Sequence, residues 1–95
     1  MNQDQAEELA LDILEKGRYL AKARFPVPDT KTVQAWSEVV GRYNLPDWLW
    51  LEAVTIFCTE KITGRMVTPL DIIEAARTAK TRWEQSSLLY TSDAA

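Results

Sequence analysis

The stretch "LPDWLWLEAVTIF", Leu45–Phe57, constrains the fold most, because four large apolar residues, Trp48 to Leu51, are consecutive in it. At about 100° per residue, a helix through this stretch spreads its apolar side chains over an arc of roughly 220°. A helix with so wide an apolar arc is central and is covered by neighbours on several sides. Trp48, alone of the four, falls in the opposite, polar sector. The pattern therefore predicts a central helix with one surplus surface tryptophan.

The length and composition of the chain indicate one small domain. Its 95 residues carry a net charge of −3, with basic and acidic residues interleaved. A dedicated nucleic-acid binder usually has a pI above about 9 or a basic stripe. The only cysteine, Cys58, fits a reducing cytosol, and the polar N-terminus lacks the pattern of a secretory signal. The longest nearly apolar run, Trp48–Cys58, is about half the roughly 20 residues that span a bilayer. We therefore expect a cytoplasmic protein without a membrane partner.

Apolar periodicity predicts an all-α fold, a compact bundle of four helices at about 4–24, 30–43, 46–61 and 68–85. The apolar faces of the first and second helices consist of Ala6, Leu9, Ile13 and Leu20 and of Val33, Trp36, Val40 and Tyr43. On the outer face of the first helix, Asp12 with Lys16 and Glu15 with Arg18 have the spacing of ion pairs. Gly17 lowers helix stability and makes a kink or an early stop possible there.

The fourth helix has the clearest start in the chain, "VTPLDI". Thr68 is placed to cap it, Pro69 takes its first position, and Asp71 is placed to complete a capping box. Its core face consists of Ile72, Ala75, Ala76, Ala79 and Trp83. The final segment, "SSLLYTSDAA", resembles translated sequencing-adapter read-through. We therefore expect residues 1–85 to form the domain and residues 86–95 to be a non-native or disordered tail.

The sequence lacks the residue patterns that catalysis requires. Histidine, the commonest general base and a usual zinc ligand, is absent. Cys58 lies in mid-helix between apolar residues, where a thiol is inert. No spacing pairs two carboxylates for acid-base work, and there is neither a Gly-rich phosphate loop nor a set of metal ligands. We expect a non-enzymatic protein that requires no cofactor and no metal.

The second and third helices have the short connection of a DNA-reading helix-turn-helix. The recognition helix of that motif presents Arg, Lys, Asn or Gln near its N-terminus, whereas this helix offers Asp47 and Trp48. Direct nucleic-acid binding by this pair is not expected. Arg77, Lys80 and Arg82 on the last helix are candidates for weak phosphate contacts, although the helix dipole is a sufficient reason for them. A small DNA-associated helical regulator is one alternative function, and a structural or oligomerisation domain is another.

Three stretches of the chain resemble one known family. They are "RFPVPDTKTVQAWSEVVGRYNL", "WLEAVTIFCTEK" and "RMVTPLDIIEAAR", which follow an N-terminal helix. Their order is similar to that of the bacteriophage helicase loader/inhibitor family. The resemblance covers about residues 5–80, and its matching positions are Trp36, Ala53, Val54, Pro69, Asp71 and Ile72. It implies a small helical domain that binds the replicative helicase and holds it inactive until delivery to an origin-bound initiator.

In that family a flexible C-terminal part contributes to the helicase contact. In this chain the expected non-native or disordered tail, residues 86–95, occupies the corresponding position. The resemblance assigns no functional residue of the family to a position of this chain. The residues themselves favour Trp48, Glu52 and Thr55 as partner contacts, because tryptophan is a preferred binding residue and the other two share its sector. We therefore expect a protein-binding module of phage DNA replication, with a replicative helicase or an initiator as partner. The sequence does not predict the oligomeric state.

Overall fold

The computed structural model describes the backbone of residues 2–94 and the side chains of residues 2–86. It contains four α-helices: α1, Gln3–Ala21; α2, Thr30–Val40; α3, Asp47–Ile56; and α4, Pro69–Ala94. A short 3-10 turn, Lys22–Arg24, follows α1, and a π-helical turn, Phe57–Lys61, extends α3. No strand occurs in the described backbone. The predicted all-α bundle of four helices is confirmed.

Side chains at the helix starts satisfy backbone groups that have no partner within the helix. Asn2 and Gln5 form a capping box on α1, in which the Asn2 side chain accepts from the Gln5 N–H at 2.8 Å. Asp29 caps α2 by accepting from the Thr32 N–H, also at 2.8 Å. The local sequence therefore determines where these two helices begin.

The third helix lies between α1 and α4 and contacts both, as a wide apolar arc requires. Trp50, Ala53 and Val54 are fully buried, and α2 completes the bundle by packing on α1 and α4. Trp36 is buried as predicted, and Tyr43 meets Trp50 edge to face with ring centroids 6.2 Å apart. The alanines predicted for the core face of α4, Ala75, Ala76 and Ala79, are all buried.

The chain after α1 turns back and covers the end of that helix. Phe25 is only 1% exposed and packs edge to face on Phe57, with centroids 6.1 Å apart. Its ring lies directly on Gly17, so α1 continues through that glycine to Ala21. The early stop that Gly17 made possible does not occur, and the missing side chain makes room for the ring. Leu20, predicted to be core, is 52% exposed because the buried face of α1 ends at Gly17.

The two ion pairs predicted along α1 are not found among the described side chains. Lys16 instead donates to the backbone carbonyl of Leu51 in α3, with Nζ and O 2.8 Å apart. Arg18 donates through Nη1 to the carbonyl of Phe25 at 3.0 Å. Both cations donate to backbone carbonyls, one in α3 and one in the segment that follows α1. These hydrogen bonds connect α1 to the two neighbouring segments.

The last helix is longer than predicted. It continues past Gln85 to Ala94, because no proline or glycine follows Pro69 to end it. The side chains of residues 87–95 lie outside the described residues, so the interpretation of this segment as a non-native or disordered tail stays a prediction.

Candidate protein-binding surface

Two tryptophans contact one another on the surface of the bundle, one from α3 and one from α4. The rings of Trp48 and Trp83 meet edge to face, with centroids 5.9 Å apart and planes inclined by 62°. The two residues are 50% and 53% exposed, whereas Trp36 and Trp50 are 5% and 0% exposed. Two of the four tryptophans therefore form the core and two face solvent. We call Trp48 and Trp83 the indole pair.

The connection between α3 and α4 brings the indole pair together. Residues 62–68 join the two helices, and α4 runs back along α3 toward its start. Trp83 lies one turn beyond Ala79, the last buried residue among the described part of α4. The prediction that Trp83 belongs to the core is wrong, because the core ends one turn earlier. Sequence reasoning therefore identified Trp48 and missed its aromatic neighbour.

The other two predicted contact residues continue the exposed stripe of α3 beyond Trp48. Glu52 is exposed and Thr55 is half-buried. The Thr55 carbonyl accepts a hydrogen bond from the Thr59 hydroxyl at 2.8 Å. Glu52 therefore offers a carboxylate that forms no ion pair among the described side chains and lies one turn from Trp48, whereas Thr55 forms the edge of the core.

One of the three candidate phosphate contacts is already engaged. Arg82 forms a bidentate ion pair with Glu60, with N–O distances of 2.6 and 2.7 Å. These hydrogen bonds lower the pKa of Glu60 and raise the pKa of Arg82 further above its ordinary range. Lys80 lies 3.9 Å from Glu84, and Arg77 is exposed. The structure therefore does not bring the three cations together as a free basic patch.

Three further carboxylates line a polar cleft between α1 and the start of α3. Glu8, Asp12 and Asp47 line this cleft together with Gln5 and Leu9. All three carboxyl-bearing residues are exposed. Among the described side chains, none of the three has a cation within 4.0 Å. This acidic cleft reaches the indole pair through Asp47, which directly precedes Trp48.

The chemically reactive groups of the chain are few. Burial raises the pKa of the half-buried Cys58 thiol, and the charge of Lys16 opposes that effect only in part. The thiol is therefore protonated near neutral pH and is a poor nucleophile. Among the described residues, no three His, Cys, Asp or Glu side chains are arranged to hold a metal ion. In the same part of the chain, no helix has the length and apolar character needed to cross a membrane.

Comparisons with protein-family models, curated proteins and solved structures found no match to this chain.

Proposed function

We propose that this domain is a non-enzymatic protein-binding module that holds its partner through the indole pair and Glu52. The observation that supports the proposal is the contact between two half-exposed tryptophans on neighbouring helices. Single exposed apolar side chains are common on soluble proteins and need no explanation. Two adjacent indoles are different, because tryptophan is strongly enriched among residues that dominate binding energy.

The partner that we propose is a hexameric replicative helicase, which the domain loads or inhibits in the cytoplasm during phage DNA replication. This choice of partner is supported by the resemblance of the three sequence stretches around Trp36, Ala53 and Pro69 to the helicase loader/inhibitor family. The indole pair adds a surface suited to such binding.

A pull-down of the full chain with a hexameric replicative helicase, followed by measurement of helicase ATPase activity, tests the proposal. We expect binding at about micromolar concentration, which corresponds to about 8 kcal/mol, and a change in ATPase rate. The Tyr19→Ala variant is the control, since Tyr19 is an exposed aromatic residue away from the pair and its loss is expected to leave binding unchanged. Absence of binding at that concentration would contradict the helicase as partner.

The alternative of a DNA-associated regulator is tested by a mobility shift with duplex DNA. We expect no shift that survives about 200 mM salt, because isolated phosphate contacts weaken steeply with salt. Arg82 is held by Glu60, which removes one of the few cations available for such contacts. A salt-resistant shift that Arg77→Ala or Lys80→Ala abolishes would favour DNA binding over the proposed function.

A further inference from the structure

We infer that the partner segment seated on the indole pair is basic and amphipathic, with Arg or Lys side chains beside its apolar residues. This inference rests on the proposed function and adds the chemistry of the partner. Its basis is the distribution of acidic and basic side chains around Trp48 and Trp83.

Acidic residues precede and follow Trp48 along α3. Asp47 precedes it in α3 and faces Glu8 and Asp12 of α1 across the polar cleft. Glu52 follows it by one helical turn on the exposed stripe. None of these four carboxylates has a cation within 4.0 Å among the described side chains. Arg82 lies near enough to Glu52 for that carboxylate to help raise its pKa, but it forms its ion pair with Glu60, so a partner meets a predominantly negative field beside the indoles.

The cations of the same face do not cancel this field. Arg82 is paired with Glu60 in two hydrogen bonds, and Lys80 lies nearest to Glu84. On α1, Lys16 is turned toward the Leu51 carbonyl between the two helices. Among the described side chains these cations form no ion pair with Asp47 or Glu52, so a basic partner segment can supply those pairs.

The two indole rings also favour a basic partner segment. The face of a tryptophan ring attracts a guanidinium or an ammonium group within about 6 Å of its centroid, and arginine uses this contact most often. A partner arginine at this position stacks on one ring while the carboxylates nearby accept its hydrogen bonds. A second copy of this chain does not fit, because it would bring the same uncompensated carboxylates together.

Three amphipathic helical peptides of about 18 residues, or five turns, provide the test. They share one apolar face of leucine and isoleucine, and their polar faces carry Arg and Lys, Gln, or Glu. Each is titrated into the full chain while ¹⁵N–¹H spectra follow the indole N–H signals, which the Trp48→Ala and Trp83→Ala variants assign. We expect only the basic peptide to shift the signals of the indole pair, and to lose affinity about tenfold or more with either variant.

Charge variants distinguish binding of the basic peptide at the indole pair from its general attraction to an acidic protein. Glu52→Lys lies next to the indole pair, and Glu38→Lys makes the same change at an exposed site on α2, which does not carry this face. We expect Glu52→Lys to weaken the basic peptide about fivefold, as loss of a nearby charge pair does, and Glu38→Lys to have little effect.

The result that overturns the inference is equal binding of the neutral and basic peptides, or binding of the basic peptide that is insensitive to the two tryptophan variants. Failure of all three peptides to bind overturns it as well. Equal binding of the neutral peptide at the indole pair leaves the proposed protein-binding function standing, whereas loss of helicase binding in the pull-down contradicts the helicase assignment independently of the peptides.

Discussion

A single glycine sets how the end of the first helix packs. At Gly17 the absence of a side chain lets the Phe25 ring rest on the helix backbone, and Phe25 in turn meets Phe57. The ring is 1% exposed, so it has no room to move outward without opening the core. This contact explains why α1 tolerates a residue that lowers helix stability by about 1 kcal/mol relative to alanine.

We expect Gly17→Ala to destabilise the domain by about 1–3 kcal/mol, the range found when an extra methyl group is forced into a packed core. A Cβ atom there would overlap the ring of Phe25, which outweighs the gain in helix propensity. Chemical denaturation measures the change. Gly64→Ala is the matched control, because no atom lies within 4 Å of the added Cβ. A more stable Gly17→Ala variant would show that Phe25 is easily displaced.

The four tryptophans should differ in their contribution to stability. Trp36→Ala and Trp50→Ala remove core side chains and are expected to cost about 3–5 kcal/mol each. Trp48→Ala is expected to cost less than about 1 kcal/mol, because half of its surface already faces water. Thermal melts of the three variants decide this. Equal losses would mean that Trp48 is a core residue.

At the scale of the elements, the start of α4 is a small polar network. The carboxyl of Asp71 accepts from the Thr68 N–H at 2.9 Å and from two nitrogens of Arg65 at 2.8 and 3.0 Å. Half of the predicted capping box is thus present, because the Asp71 side chain accepts a hydrogen bond from the Thr68 backbone N–H. Burial raises the pKa of Asp71, but these hydrogen bonds outweigh burial, so the net pKa lies below its ordinary value.

This network predicts a pH dependence. Because the pKa of Asp71 is lower in the folded chain than in the unfolded chain, its contribution to stability is complete above the unfolded value of about 3.9 and is lost as pH falls through the folded value. Near neutral pH, Asp71→Asn should lower the free energy of unfolding by about 1 kcal/mol, as loss of a cap does.

The difference between wild type and Asp71→Asn should be smaller at an acidic pH below the unfolded value than at pH 7, because the folded carboxyl is progressively protonated as pH falls through its lowered pKa. Urea denaturation at both pH values measures it. Arg65→Ala serves as a second variant that keeps the cap and removes the ion pair, together with a 3.3 Å hydrogen bond to the Met66 carbonyl. A difference that is constant over the whole pH range would show that the charge of Asp71 does not stabilise α4.

Local patterns made the elements predictable, and nonlocal contacts limited the rest. The capping residue Asp71 and the wide apolar arc around Trp50 act within a few residues, so the sequence revealed them. The burial of Phe25 and the exposure of Trp83 depend on where another segment begins or ends. Hydrophobic periodicity predicts which face of a helix a side chain occupies. It does not predict where the neighbouring segment that would cover that side chain begins or ends.

At the scale of the whole molecule, α3 lies between α1 and α4 and exposes one stripe. That stripe begins with Trp48, is extended by Trp83 of α4, and is bordered by the exposed carboxylates Asp47 and Glu52 of α3. The residues that build the core and those that we propose to bind a partner are therefore separate sets. Changes at the indole pair should affect binding without affecting folding.

Paired measurement of stability and helicase binding for Trp48→Ala and Trp83→Ala tests this separation most directly. We expect each variant to melt no more than about 8 °C below the wild type, the shift that a loss of about 1 kcal/mol causes in a domain this size. Binding to the helicase should fall about tenfold or more in both, and Tyr19→Ala should change neither quantity. Unchanged binding in both tryptophan variants, with their fold intact, would contradict the assignment of the indole pair as the binding surface.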